Sequence, residues 1–287
     1  MTADPASKAL HPLWQASFFR NRLAVLGAMA VLLLLVMAVA APLLANHDPL
    51  AQDLTQSLAA PSMEHWLGTD KQGRDIWSRI VYGVRPALGG ALIVVLLSGA
   101  IGIPLGLIAG YYRGRVDSWI MRCLDMVLSF PPLLLAILIV ATFGRSLVNA
   151  TIALGIVYVP ALARLVRGVA LIQRQQTYIE AAAAVGFDDQ RILFRHLLPN
   201  LMSPILVQSF VNLAYAILDL AALSFLGLGV QPPTPDWGAM LAEGRTYLLL
   251  SPYPALSAGI AIMIAVIAFN LLGDGLQLQF DPHQHEE

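Results

Sequence analysis

The residues from Tyr178 to Asn200 form the one long polar and alanine-rich stretch in a chain that is otherwise mostly apolar. Glu180 precedes Ala181, Ala182, Ala183 and Ala184, Gly186 and Phe187 follow, and His196, Leu198 and Pro199 close the stretch. Alanine favours helix, glycine can take the left-handed conformation that ends a helix, Asp188 or Asp189 can cap a second one, and Pro199 stops the run. The expected product is two short helices meeting at a corner, with side chains small enough for another protein to approach closely. The chemistry on offer there is docking through a carboxylate, not catalysis. From composition alone, an ordinary amphipathic loop between membrane spans is the simpler reading.

Other reactive side chains make weaker patterns. His47 and His65, with Asp48, Asp53, Glu64, Asp70 and Asp75, fall in one hydrophilic segment but lack a recognised metal-ligand spacing, so they read as a solvated loop and no metal site is assigned. The single cysteine, Cys123, excludes an intrachain disulfide framework and a multi-cysteine metal site. There is no His-Glu-x-x-His, no Gly-x-Ser-x-Gly and no paired aspartates at membrane depth, so no catalytic residue is assigned. A phosphate-binding loop needs a lysine after its second glycine, and the only lysines, Lys8 and Lys71, are not in that setting. The chain cannot use ATP alone. Asp219 is the sharpest polar residue inside an apolar run, where an ionisable group costs about 2.5 to 3.5 kcal/mol on insertion scales. It either lines a solute path or bonds a neighbouring helix, and the structural role is the more economical.

The elements that must position these residues follow from hydropathy. With 57% hydrophobic and 12% charged residues among 287, and a mean hydropathy of +0.69, the chain is an integral membrane domain rather than a soluble one. The net charge of -1 gives no support to nucleic-acid binding. The expected fold is an all-α polytopic bundle of six transmembrane helices: an arm over 1–22, a first span over 23–45, a hydrophilic loop over 46–85, then five spans and the polar segment 175–200 within 86–275, and a tail over 276–287. The apolar run from Leu23 is longer than the core of a cleaved signal peptide, about 7 to 15 residues, so it is taken as a retained span. Pro131-Pro132 should kink the third span or delay its start. With the first residue inside, the inner segments carry eleven Lys and Arg residues and the outer ones six, which puts 175–200 and both termini in the cytoplasm.

The order Glu180-Ala181-Ala182, three residues, Gly186, then Leu198-Pro199 resembles the cytoplasmic signature loop of permease subunits in binding-protein-dependent ABC importers. His196 departs from the general pattern, which has an aliphatic residue there, yet His196-Leu-Leu-Pro-Asn200 is similar to the peptide/nickel branch. Leu67-Gly-Thr-Asp70, Gly73-Arg-Asp75 and Ser78-Arg79 resemble a second segment of that branch, and Ile217-Leu-Asp-Leu-Ala-Ala-Leu223 with Gln231-Pro-Pro-Thr-Pro235 is similar to dipeptide-type permeases. The resemblance runs from Phe18 to about Gly275, while the tail Leu276-Gln-Leu-Gln-Phe280 departs from it. It implies a translocation subunit for a small peptide or related solute in a bacterial plasma membrane. The implied partners are a second permease, two ATPases that use ATP and Mg and dock on Glu180 to Pro199, and an extracytoplasmic solute-binding protein; no cofactor is implied in this chain. The competing expectation is a self-sufficient secondary transporter or channel, which should show inverted repeats with matched helix breaks. Pro131-Pro132 has no match in the other half.

Overall fold

A computed structural model describes residues 21–280. The arm 1–20, the tail 281–287 and the tail histidines His283 and His285 lie outside the described residues.

Helices carry the whole architecture. The first, α1 (Arg22–Leu44), begins at Asn21, whose side-chain oxygen accepts the Leu23 and Ala24 amides at 3.0 and 3.3 Å. Next come α2 (Ile76–Tyr112), α3 (Gly114–Leu128), α4 (Pro132–Phe143) and α5 (Leu147–Gln173). The short α6 (Thr177–Ala184), a helical turn at Asp189–Arg191 and a π-helical turn at Ile192–Leu197 lead into α7 (Leu198–Phe225). Finally α8 (Trp237–Arg245) precedes α9 (Tyr253–Phe280). At about 1.5 Å per residue, five of these segments are long and apolar enough to cross a ~30 Å hydrocarbon core, α3 and α4 counting as a sixth only if the bent pair makes one span.

Helix direction decides the count. Gly90 of α2 faces Leu147 and Thr151 at the start of α5, Gly106 faces Ala163, and Gly110 faces Ala170 near its end, so α2 and α5 run parallel. A Cβ on Gly106 would fall 2.3 Å from the Ala163 carbonyl, which is why these backbones need glycine to meet. Two parallel spans in sequence require a return crossing, and only α3 and α4 lie between them. These two helices bend by 79° around Ser129 to Pro131, the break expected from the two prolines. Arg167 clasps Asp117 with both Nε and Nη2, and Arg164 Nη2 donates to Asp125 at 2.6 Å, which fastens α3 along the C-terminal half of α5. At the other end the Asn149 amide donates to the carbonyls of Phe143 and Gly144, closing the α4–α5 corner.

The remaining helices alternate. The start of α7, at Leu201 and Ile205, shares a core with Leu107 and Tyr111 at the end of α2, while Leu220 near its far end meets Gly90. Gly27 of α1 lies against Leu271 and Leu272 of α9. Both described chain ends therefore sit at the end of the bundle that carries 175–200, as six crossings require.

Three features differ from the hydropathy reading. Helix α2 starts at Ile76, not Pro86, because Asp75 accepts the Ser78 amide at 2.8 Å and the charges in its first turns are satisfied. Arg79 donates to the Pro49 and Pro233 carbonyls, and Arg85 donates to Ala38 at 2.7 Å. The second difference is α8, an extra short helix after the Pro-rich loop; Asp236 caps it by accepting the Ala239 amide at 2.9 Å, and burial pushes that carboxyl above its ordinary pKa. The tail expected from 276 is helical through α9 as far as Phe280.

Candidate functional site: a helical corner at one end of the bundle

The stretch singled out by its polarity folds as two helical pieces around a glycine corner. Helix α6 ends in a paired closure: the Gly186 amide donates to Ala183 at 3.0 Å and the Phe187 amide donates to Ala182 at 3.2 Å. Gly186 holds φ +86°, a left-handed conformation that L side chains rarely adopt. A Cβ there would meet nothing within 4 Å, so only backbone preference selects glycine.

Beneath the corner is an apolar footing. Ile179 and Ala182 of α6, with Ile192, Leu193 and Leu197 of the following turns, pack on Leu107, Tyr111, Leu162, Val166 and Ala170 of α2 and α5. Polar clamps reinforce it. The Tyr111 hydroxyl donates to Asp189 at 2.7 Å, Arg174 lies over the Tyr111 ring at 5.2 Å, and Arg113 donates to the Leu171 carbonyl. Tyr178 donates to Gln173 at 3.0 Å, and burial raises its hydroxyl pKa.

The outer surface has a different character. Glu180 is exposed and its carboxylate has no hydrogen-bond or ion-pair partner among the described residues. Ala181 and Ala183 are exposed beside it, and Val185 and Phe194 stand out at 75% and 62% exposure. The corner therefore presents one carboxylate among small and apolar side chains.

Each residue named from the pattern has a distinct place. Ala182 is buried in the footing, while Gly186 makes the turn. The Phe187 ring stacks on His196 at 5.4 Å and takes the Arg191 guanidinium at 4.3 Å, so the histidine that departs from the aliphatic pattern braces the corner from within. Leu198 is half-buried, and exposed Pro199 occupies the first turn of α7, where a missing amide costs nothing. Asp189 does not cap the second helical piece as expected; its carboxylate is turned to Tyr111, and Asp188 sits at the cap position without a side-chain cap bond.

Asp219 lies apart from this corner, half-buried on α7, where its Oδ2 accepts the Tyr158 hydroxyl of α5 at 2.8 Å. It bonds a neighbouring helix.

At the opposite end, the hydrophilic segment is exposed over much of 46–64 but buries a polar cluster over 65–79. Thr69, Asp70, Arg74, Asp75, Ser78 and Arg79 are all buried. Arg74 donates to Asp70 at 2.6 Å and to Glu243 of α8 at 2.8 Å, and Arg79 pairs with Asp70 at 3.6 Å. The pattern Gly68-Thr-Asp with Gly73-Arg-Asp carried this signal, since two left-handed glycines beside alternating charges make a compact ion-paired turn. The fold also brings His47 beside Glu64 and His65, a grouping that spacing along the chain had hidden.

Direction, length and burial together define an all-α polytopic membrane protein with an exposed helical corner at one end. Residues 102–286 match the model of the binding-protein-dependent transport system inner membrane component, and residues 13–61 match the N-terminal transmembrane domain of oligopeptide transport permease C. The chain belongs to this family, and it is a permease subunit of an ABC importer. It is 46% identical over 266 residues to the glutathione transport system permease protein GsiD of Pectobacterium atrosepticum, covering 92% of this chain and 88% of that one. It is 44% identical over 292 residues to the dipeptide transport system permease protein DppC of Alkalihalophilus pseudofirmus, covering 98% and 96%. In fold it is similar to a chain of the MetNI methionine ABC transporter in an inward-facing conformation, with a TM-score of 0.58, 18% identity and coverage of 71% and 97%.

Proposed function

We propose that this chain pairs with a second, homologous permease to form the translocation path for a short peptide or a glutathione-like solute, and that ATP, with Mg, is hydrolysed only by separate ATPase subunits docked on residues 175–200. The observation that carries the docking assignment is the corner itself: exposed Glu180, without a side-chain partner among the described residues, above an apolar footing that joins α6 to α2, α5 and α7. A force applied to α6 is transmitted as a rigid-body movement of these packed helices, since close-packed cores shift as units.

The glutathione and dipeptide relatives support the solute class. The charge bias supports a cytoplasmic corner, with both termini on that side and the 46–75 segment facing the solute-binding protein. The plasma membrane of a bacterium is the setting these partners require. Asp219 belongs to the inter-helix framework in this reading, its bond to Tyr158 fixing α7 against α5, with the path lined by other residues.

The test is Glu180→Ala in vesicles holding the complete transporter. Loss of a charged pair at a buried interface weakens binding on the order of tenfold or more. Solute-stimulated ATP hydrolysis and uptake should fall together while the affinity of the binding protein for solute is unchanged. Full activity in the variant would overturn the assignment of Glu180 to the docking surface.

A further inference from the structure

The end of the bundle opposite the 175–200 corner holds a group of side chains to which the proposed function assigns no role. His47, in the chain leaving α1, and the adjacent Glu64 and His65 each offer one ligand atom, and these atoms all lie within 4.8 Å of one another. The two imidazole rings are 4.6 Å apart at their centroids. Residues so far apart in sequence meet because the ion-paired turn around Asp70 and Arg74 folds the segment back onto the start of α2.

The surroundings are those of a metal site. Buried Asp75 accepts the Nδ1 proton of His65 at 2.9 Å, and its second oxygen is held by the Ser78 amide. A carboxylate on one ring nitrogen fixes the tautomer and leaves the lone pair on the other nitrogen, Nε2, the arrangement that supports metal-bound histidines. His47 Nδ1 is buried and has no hydrogen-bond partner among the described residues, standing 4.0 Å from the Asp75 carboxylate. A buried polar atom left in that state costs free energy that a ligand or ion would recover. Glu64 is exposed, and its carboxylate has no partner among the described residues.

We propose that His47, Glu64 and His65 bind one divalent transition-metal ion of the zinc class, with water completing its coordination. Two imidazoles and one carboxylate form an established three-ligand set for zinc, with bonds of about 2.0 to 2.2 Å. A tetrahedral ion with such bonds sets its ligands about 3.3 Å apart, so closure from the present separation is a matter of side-chain rotation, with His47 and exposed Glu64 moving toward fixed His65. Imidazole nitrogen discriminates against magnesium and calcium, which prefer oxygen cages. The bound ion clips the chain after α1 to the 62–65 turn and, through Asp75, to the first turn of α2.

The experiment uses the full chain, purified in detergent without an affinity tag and stripped with a chelator, in a His283→Ala, His285→Ala background that removes the tail histidines. Zinc is titrated calorimetrically, magnesium serves as the control, and cobalt reports geometry through its visible ligand-field absorption. The expected result is one zinc per chain, no magnesium binding and a four-coordinate cobalt spectrum. Glu64→Gln and His47→Ala, neither of which removes a side-chain bond within the fold, should each weaken zinc binding at least about tenfold, and Asp75→Asn should weaken it about 10- to 100-fold. Absence of saturable one-to-one binding would overturn the proposal. So would zinc binding that both Glu64→Gln and His47→Ala leave intact.

Discussion

Replacing Gly186 separates the shape of the corner from its contacts. The residue holds φ +86° with open space where a Cβ would stand, so a substitution there adds no clash and its cost is backbone conformation alone. An L-residue in the left-handed region costs about 1 to 2 kcal/mol, and a β-branched one more. One to two kcal/mol is a factor of about 5 to 30 in the ratio of formed to unformed turn. If the ATPase docks only on the formed corner, its apparent affinity falls in proportion to the loss of formed turn. Gly186→Ala should therefore weaken ATPase binding to permease in lipid nanodiscs several-fold, and Gly186→Val should weaken it further. Gly186→Asn should stay near wild type, because asparagine tolerates this conformation. Protease protection of 175–200 should fall in the same order, while gel filtration and helix content remain unchanged, since the footing lies on other residues. Equal ATPase affinity and equal protection for glycine and valine would refute the idea that this turn sets the docking geometry.

Other outcomes follow from the same geometry. Asp117→Ala breaks the two-pronged contact with Arg167 and should destabilise the detergent-solubilised protein by about 1.5 to 3 kcal/mol in thermal or denaturant unfolding; Asp125→Ala, whose pair with Arg164 is largely exposed, should change it by no more than about 1 kcal/mol. Tyr158→Phe removes the donor to Asp219 and should lower stability by about 1 to 3 kcal/mol, whereas Asp219→Asn, which still accepts that bond, should cost less. In a Cys123→Ser background, a cysteine at Gln56 should react with an impermeant thiol reagent from outside intact cells, and one at Gln190 should not.

Much of this arrangement is readable from residue types. The uncharged runs place most of the spans, Pro131-Pro132 marks the break between α3 and α4, and the alanines ending at Gly186 define the corner. What escapes such reading depends on contacts distant in sequence. Arg79 and Arg85 look like loop residues until the Pro49, Pro233 and Ala38 carbonyls that accept from them are brought alongside. The Asp117–Arg167 clasp joins residues on separate helices, so the packing of α3 along α5 has no local sequence signal. His47, Glu64 and His65 share no helical or strand period, and only the folded 46–75 segment unites them. Asp189 is a capping residue by type, but its carboxylate accepts the Tyr111 hydroxyl from a helix distant in sequence.

This chain should move solute only when ATPase subunits drive it through the 175–200 corner. The most direct measurement is solute uptake into vesicles containing either this chain alone under an imposed proton or sodium gradient, or the assembled permeases, ATPases and binding protein with internal or external ATP. Uptake confined to the assembled complex, dependent on ATP at the face bearing Gln190 and insensitive to the ion gradient, is the predicted result. Gradient-driven uptake by the chain alone would contradict it.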